Sequence, residues 1–271
     1  MAGGRTFYAG KRALVVGASE GIGLAIAEEL AARGAHVVIT SRDPAKLAVA
    51  AERVTARRKS SDQSIGWAAF DVRDADAVDR EISRLSAEKG VPDFAILCAG
   101  FSHPGYFEDL DLAQHRAMME LNHFGTLHVV RALVPAMVAR GRGHIVTTSS
   151  GLGFLGLFGF TGYCASKFAV VGFSEALRSE LQTRGVRVSC FCPPAVETPG
   201  FARENVLKPV AVAAAEARAN ILQAPDVARY LLDRLPGDPF LVIPGWEMRF
   251  YHRAHRLMPG VVRFFTRRPK P

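Results

Sequence analysis

Short apolar runs alternate along this chain with longer stretches in which apolar residues recur at helical spacing. The runs fall near Ala13, Val37, Trp67, Phe94, His144 and Arg187, with a further one at Phe240-Leu241-Val242-Ile243. Between them lie patterns such as Leu24, Ile26, Ala27 and Leu30, which share one face of a helix. Phe94-Ala95-Ile96-Leu97 and the run from Val188 to Cys192 are continuously apolar, as strands covered on both faces must be. Regular alternation of strand and helix predicts an α/β protein: a single doubly wound parallel sheet with helices on both faces. Asp43-Pro44 reads as a helix start, an acidic cap followed by proline in the first turn. Arg57-Arg58-Lys59-Ser60-Ser61-Asp62 reads as a polar loop, and alanine-rich 211–219 as a short helix. No internal repeat or low-complexity linker divides the chain.

A length of 271 residues suits one such domain with an ample core. Four cysteines in a chain this long make no disulfide framework, so Cys98, Cys164, Cys190 and Cys192 are expected as buried free thiols. Cys190 and Cys192 are expected to point to opposite faces of their strand, unable to share a metal. His252 and His255 lack a third ligand in sequence, and no metal site is expected. Residues Met1 to Gly10 lack the apolar stretch of a secretion signal, and no segment approaches the roughly 20 apolar residues that span a bilayer. The expectation is a cytoplasmic protein, soluble or peripheral on the cytoplasmic membrane face.

The formal charge of +8 is unevenly placed. Between Trp246 and Pro271 lie Arg249, Arg253, Arg256, Arg263, Arg267, Arg268 and Lys270 against the single acid Glu247. Trp246, Phe250, Leu257, Val261 and Phe265 fall near one helical face, interrupted by Pro259. A basic helix with such a face suits an anionic membrane surface. It equally suits a tail docked on its own domain or on a second subunit. Nucleic acid is not expected, since no recognised binding module accompanies the charge.

The candidate chemistry begins with Tyr163 and Lys167, four apart and so on one helical face. A phenol ionises near pH 10, and a neighbouring ammonium eases loss of its proton, which suits proton delivery to a ketone/alcohol couple. A second feature follows the first strand: Gly17-Ala18-Ser19-Glu20-Gly21-Ile22-Gly23, opening into a helix. Glycines there permit a tight turn and close approach of a pyrophosphate to the helix N-terminus. The spacing differs from the six-residue dinucleotide fingerprint. The second strand ends in Ser41-Arg42, with no acid until Asp43. Arginine accommodates a 2′-phosphate where an acid would bond a ribose hydroxyl, so NADPH is expected over NADH. Arg42 can also be read as a solvated loop residue.

Taken in order, these residues resemble the short-chain dehydrogenase/reductase family over roughly Lys11 to Leu232. Gly17, Gly21 and Gly23 match its cofactor turn. Asp71-Val72 matches its adenine-contacting pair, and Cys98-Ala99-Gly100 the end of its Asn-Asn-Ala-Gly segment, with Leu97-Cys98 replacing both asparagines. Asn122 matches the catalytic asparagine. Ser150, thirteen residues before Tyr163, matches the catalytic serine. Pro193-Pro194-Ala195-Val196-Glu197-Thr198 matches the stretch beside the nicotinamide, with Pro194 in place of glycine.

The resemblance implies a Rossmann-type fold (residues 1–245) with a substrate lid at about 199–222 and a C-terminal tail at 246–271. It implies NADPH/NADP+ held by Gly17, Ser19, Glu20, Gly21, Ile22, Gly23, Arg42, Asp71, Val72, Ala99, Gly100, Tyr163, Lys167, Pro193, Val196 and Thr198. In the implied catalytic set, Tyr163 donates a proton, Ser150 polarises the carbonyl, Lys167 eases proton loss and Asn122 holds a relay water. Ser150 could instead simply end its strand, and Asn122 simply interrupt a helix. Pairing into a homodimer or homotetramer through the helices carrying Asn122 and Tyr163 is also implied.

Leu155 to Thr161, Thr198 to Asn205 and Lys208-Pro209 narrow the resemblance to the 3-ketodihydrosphingosine (3-dehydrosphinganine) reductases, which reduce a long-chain amino ketone in sphingolipid synthesis. Reduction or oxidation of another apolar compound (steroid, retinoid or β-ketoacyl thioester) remains open, as does a non-catalytic NADP-binding scaffold.

Overall fold

The computed structural model describes residues 6–217 and 220–265. All seven expected runs become strands: β1 (Arg12–Val16), β2 (His36–Ser41), β3 (Ile65–Ala69), β4 (Phe94–Leu97), β5 (Gly143–Thr148) and β6 (Val186–Phe191), with the seventh closing the sheet at Leu241–Val242. Two further strands, β7 (Val196–Glu197) and β8 (Leu222–Gln223), precede that last strand, β9, and pair only with each other. At two residues each, they are too short to carry a periodic signal.

The helices are α1 (Gly21–Ala32), α2 (Pro44–Ala56), α3 (Ala75–Lys89), α4 (Leu112–Met119), α5 (Gly125–Ala139), α6 (Thr161–Leu181), α7 (Pro199–Leu207), α8 (Val210–Glu216), α9 (Ala224–Arg234), α10 (Trp246–Leu257) and α11 (Pro259–Phe265). Helix α2 starts as expected: the Asp43 carboxylate accepts from the Lys46 amide at 3.1 Å, and Pro44 follows. The alanine-rich 211–219 stretch forms most of α8, with residues 218 and 219 outside the described residues.

The main sheet is parallel throughout, in the order β3-β2-β1-β4-β5-β6-β9. Each face carries its own core. Ile26, Leu30, Val37, Ile39 and Leu231 lie on one side, and Leu14, Ile82, Ala95, Leu133 and Val188 on the other. Full burial of each Leu, Ile or Val contributes about 1.5–3 kcal/mol, so these two layers hold the helices to the sheet. Strand order reverses between β1 and β4. In open α/β sheets the crevice beyond the strand ends at such a point is where ligands bind.

One expectation is overturned. Cys190 and Cys192 do not face opposite ways. Successive strand residues alternate, so i and i+2 share a face, and the two sulfurs lie 3.8 Å apart on the inner side of β6. Both are free and buried, as is Cys164; Cys98 is half-buried and free.

Candidate active site

Beyond the β1 end the chain turns through Gly17, at φ 77°. A Cβ on Gly17 would run into the Cys98 and Ala99 backbone, and one on Gly23 into the Gly17 carbonyl. Only glycine lets β1, β4 and α1 close to this distance. Gly21 also has positive φ, with the Thr198 methyl 3.3 Å from where its Cβ would lie. Helix α1 has no side-chain cap and no acid in its first turn, which leaves the leading amides of Gly21, Ile22 and Gly23 for an anion.

Such a cradle fits a dinucleotide pyrophosphate. Ser19 lies within the turn. The Glu20 carboxylate points away into ion pairs with Lys46 (3.0 Å) and Arg203, which hold its pKa below the usual range. Its charge beside an anion site is thereby offset.

Arg42 is exposed at the end of β2 and makes no ion pair among the described residues. The Asp71 carboxylate is held by Arg73 at 2.5 Å, which lowers its pKa, with a smaller contribution from Arg42. Val72 is buried, and its carbonyl lies 2.9 Å from His128 Nδ1. Arg42, Asp71 and Val72 thus stand together at one end of the crevice. Ala99 and Gly100 follow β4 in its centre.

Asn122 is fully buried in a single π-helical turn, Glu120–Phe124, between α4 and α5. Such turns concentrate at functional sites. Its Oδ1 accepts from the Phe101 amide at 2.9 Å, and its Nδ2 donates to the Phe101 carbonyl at 3.0 Å and to Ser166 Oγ at 2.9 Å. It therefore ties the loop after β4 to α6. Asn122 Oδ1 and Lys167 Nζ both border Gly100: a Cβ there would lie 2.9 and 3.3 Å from them.

Helix α6 carries Tyr163 and Lys167 on one face, the ammonium 5.6 Å from the phenol ring centre. Lys167 is 4% exposed and donates to the Thr148 carbonyl at 3.0 Å. Burial brings its pKa down to about 8. The Tyr163 pKa moves up, first through burial and then through the Glu204 carboxylate, while the neighbouring Ser150 hydroxyl opposes the rise.

The two neighbouring serines divide their tasks. Ser149 is buried and donates to the Lys167 carbonyl at 2.8 Å, anchoring α6 to β5. Ser150 Oγ accepts from the Leu152 amide at 3.2 Å, which leaves its own hydrogen to point at the phenol or at a substrate oxygen.

Ser150, Tyr163 and Lys167 line one large cavity with Ile22, Gly100, Pro193, Val196 and Thr198. Thr198 also caps α7, accepting from the Phe201 amide at 3.0 Å. Further walls come from Leu152, Leu155, Leu157, Phe158 and Phe160, and from Phe201 of α7 and Trp246, Phe250 and Tyr251 of α10. Sequence reasoning saw the first apolar stretch and missed the α10 aromatics as lining. It also missed Glu204 and Glu216, which line the cavity from α7 and α8.

The tail docks on its own domain, one of the placements its pattern allowed. One face of α10 docks: Arg249 donates to the Tyr230 hydroxyl at 2.7 Å, and the His252 ring packs on Phe154 at 4.6 Å. Its other face leaves Trp246 (67%), Phe250 (61%) and Leu257 (80%) in the open, with Val261 and Phe264 of α11 also exposed. Arg267, Arg268 and Lys270 lie outside the described residues. No described helix is long and apolar enough to cross a membrane.

Comparison with known proteins identifies the family. The family model for short chain dehydrogenase matches residues 11–206. The chain is 34% identical to the 3-ketodihydrosphingosine reductase of Bos taurus over 82% of this chain and 68% of that one. Identity and coverage are the same for the 3-dehydrosphinganine reductase of Danio rerio. A short-chain dehydrogenase from Streptomyces avermitilis superposes with a TM-score of 0.79 at 27% identity, over 93% of this chain and 95% of that one. With a reversed-order parallel sheet, a glycine cradle for a nicotinamide cofactor and a Ser150–Tyr163 pair in one cavity, the chain belongs to the short-chain dehydrogenase/reductase family, the oxidoreductases of CH–OH and C=O groups.

Proposed function

We propose that this chain is an NADPH-dependent reductase of the keto group of long-chain lipid ketones, converting 3-ketodihydrosphingosine to dihydrosphingosine. The observation that carries the reading is that Ser150 and Tyr163 line one cavity with otherwise largely apolar walls. A carbonyl oxygen meeting both hydroxyls leaves an alkyl chain to fill the space between Leu152–Phe160 and the α10 aromatics. The names of the two animal relatives support the substrate.

The cofactor would lie along Gly17, Ser19, Glu20, Gly21, Ile22 and Gly23, with Asp71 and Val72 at its adenine and Arg42 at a 2′-phosphate. Ala99, Gly100, Pro193, Val196 and Thr198 would flank its nicotinamide end. When bound, the reduced nicotinamide supplies a hydride to the carbonyl carbon. Ser150 donates a hydrogen bond to the carbonyl oxygen and stabilises the charge that grows there. Tyr163 gives the same oxygen its proton. Lys167 beneath the phenol opposes the negative charge left on it. Asn122 holds the Phe101 loop against α6, and the space it borders with Lys167 beside Gly100 suits a relay water.

In this reading residues 1–245 form the reductase, 199–222 its lid and 246–271 a membrane-facing tail. The exposed Trp246 and Phe250 favour lipid contact, because both also line the cavity. A bilayer touching α10 would then meet the mouth through which a lipid enters. Pairing of two chains is supported by Phe124 and Phe168, exposed at the π turn beside Asn122 and on the Tyr163 helix. The reading is tested by NADPH consumption with 3-ketodihydrosphingosine beside a steroid ketone and a short β-ketoester. Preference for the long-chain amino ketone is expected. Faster turnover of either other ketone would replace it with the rival substrate.

A further inference from the structure

The lid carries an ion cluster that the reduction itself does not use. Glu204 and Lys208 are one helical turn apart at the end of α7, and the chain then doubles back at Pro209 so that α8 brings Glu216 to the same lysine. The Lys208 side chain is 2% exposed. Its ammonium lies 2.9 Å from Glu204, touches Glu216 and sits 4.3 Å over the Phe201 ring. Glu216 Oε2 is sealed from solvent, with the Lys208 ammonium as its partner.

Two carboxylates share this one ammonium, which leaves one negative charge without a counter-ion among the described residues. Glu204 and Glu216 both line the catalytic cavity, as does a third acid, Glu247, and among the described residues no arginine lines it. The lysine on its described wall, Lys167, is turned to the Thr148 carbonyl. Burial raises the Glu216 pKa, the mark of a carboxylate short of solvation. Glu204 is near enough to Tyr163 to act on its proton affinity.

An excess carboxylate within apolar walls is unfavourable until a cation arrives. A ketone with an ammonium on the adjacent carbon brings one, a single bond from the carbonyl that Tyr163 and Ser150 hold. Steroids, retinoids and thioesters bring none.

We propose that Glu204, braced by Lys208 and Glu216, receives the ammonium of the substrate and selects amino ketones over uncharged ketones of the same length. This rests on the substrate class proposed above and names the group that reads it. The full chain is assayed with NADPH on 3-ketodihydrosphingosine and on the same molecule with hydrogen in place of the amine. Wild type is expected to favour the amine in kcat/KM. The ratio should fall roughly tenfold or more in Glu204→Gln, through KM, as for loss of one charge-assisted contact. Glu216→Gln removes the same excess charge and should lower the ratio in the same direction. It decides the matter if Glu204→Gln loses NADPH binding. A wild type that treats both ketones alike, or variants that keep the ratio, would overturn the role of the lid alone. No turnover of either ketone would overturn the substrate class and the lid's role with it.

Discussion

The cavity has two walls built on different terms. The sheet-side wall comprises the Gly17–Gly23 turn, the ends of β4 and β5, and Ser150, Tyr163 and Lys167. Contacts onto backbone hold most of it: Gly17 against Ala99, the Ser149 hydroxyl on the Lys167 carbonyl and the Asn122 amide on Phe101, with a further link from Asn122 to the Ser166 hydroxyl. The facing wall, α7, α8 and α10, is held by side chains: Arg203 to Glu20, Lys208 to two glutamates, Arg249 to Tyr230. In the proposed reading the first wall supplies chemistry common to any ketone, and the second decides which ketone enters. Damage to the sheet side should therefore cost every substrate alike, and damage to the lid side should separate substrates.

Lys167→Met should show a large loss on the sheet side, second to loss of the Tyr163 hydroxyl. A drop in kcat of about 10²- to 10³-fold for all ketones is expected, within the usual range for acid–base assistance. Selective loss for one ketone would blur the division of walls.

The same variant has a stability signature with a fixed sign. The Lys167 pKa is lowered to about 8 in the fold, below its ordinary 10.5. The buried ammonium therefore disfavours the native state below pH 8, and the penalty fades as pH rises from about 8 to 10.5. Thermal or urea unfolding should find Lys167→Met more stable than wild type at pH 7, by up to about 3 kcal/mol. That gain should shrink toward pH 10. A gain independent of pH would mean the lysine is not held at a cost.

Arg42→Ala comes next. NADPH affinity should fall about tenfold or more and NADH affinity little, as for loss of one charge-assisted contact to a phosphate. Equal losses would show that Arg42 does not read the 2′-phosphate.

The smallest effect on turnover is expected from shortening the tail. A chain ending at Gly245 should float less with anionic liposomes than the full chain. It loses part of the cavity wall, so turnover of a short soluble ketone should change less than turnover of a long one. Equal flotation would remove the membrane contact.

The same two walls differ in how far the sequence reveals them. The glycine turn, the seven main strands and the Tyr163–Lys167 face were legible because each depends on local backbone limits or on a period of 3.6 or 2. Ser150 was found by its distance from Tyr163, yet nothing local separated its task from that of Ser149. The π turn at Asn122 was hidden, since it arises from how α4 and α5 meet and has no composition of its own. Nothing local sets Glu204 and Lys208, four apart, off from an ordinary surface pair. Only the reversal at Pro209 brings Glu216 to Lys208, and the two glutamates line the cavity. The misplacement of Cys190 and Cys192 was an error of period, because positions two apart on a strand share a side. For the tail, docking and exposure are two faces of one helix, a distinction that needs the position of Tyr230.

The central claim is that Tyr163 supplies the proton to a ketone held beside Ser150. Its most direct test is Tyr163→Phe, assayed for NADPH binding by fluorescence and for 3-ketodihydrosphingosine reduction in the same preparation. Binding within a few-fold of wild type with turnover lost by about 10³-fold or more is the predicted result. Turnover retained at more than about a tenth of wild type, with binding intact, would contradict the account.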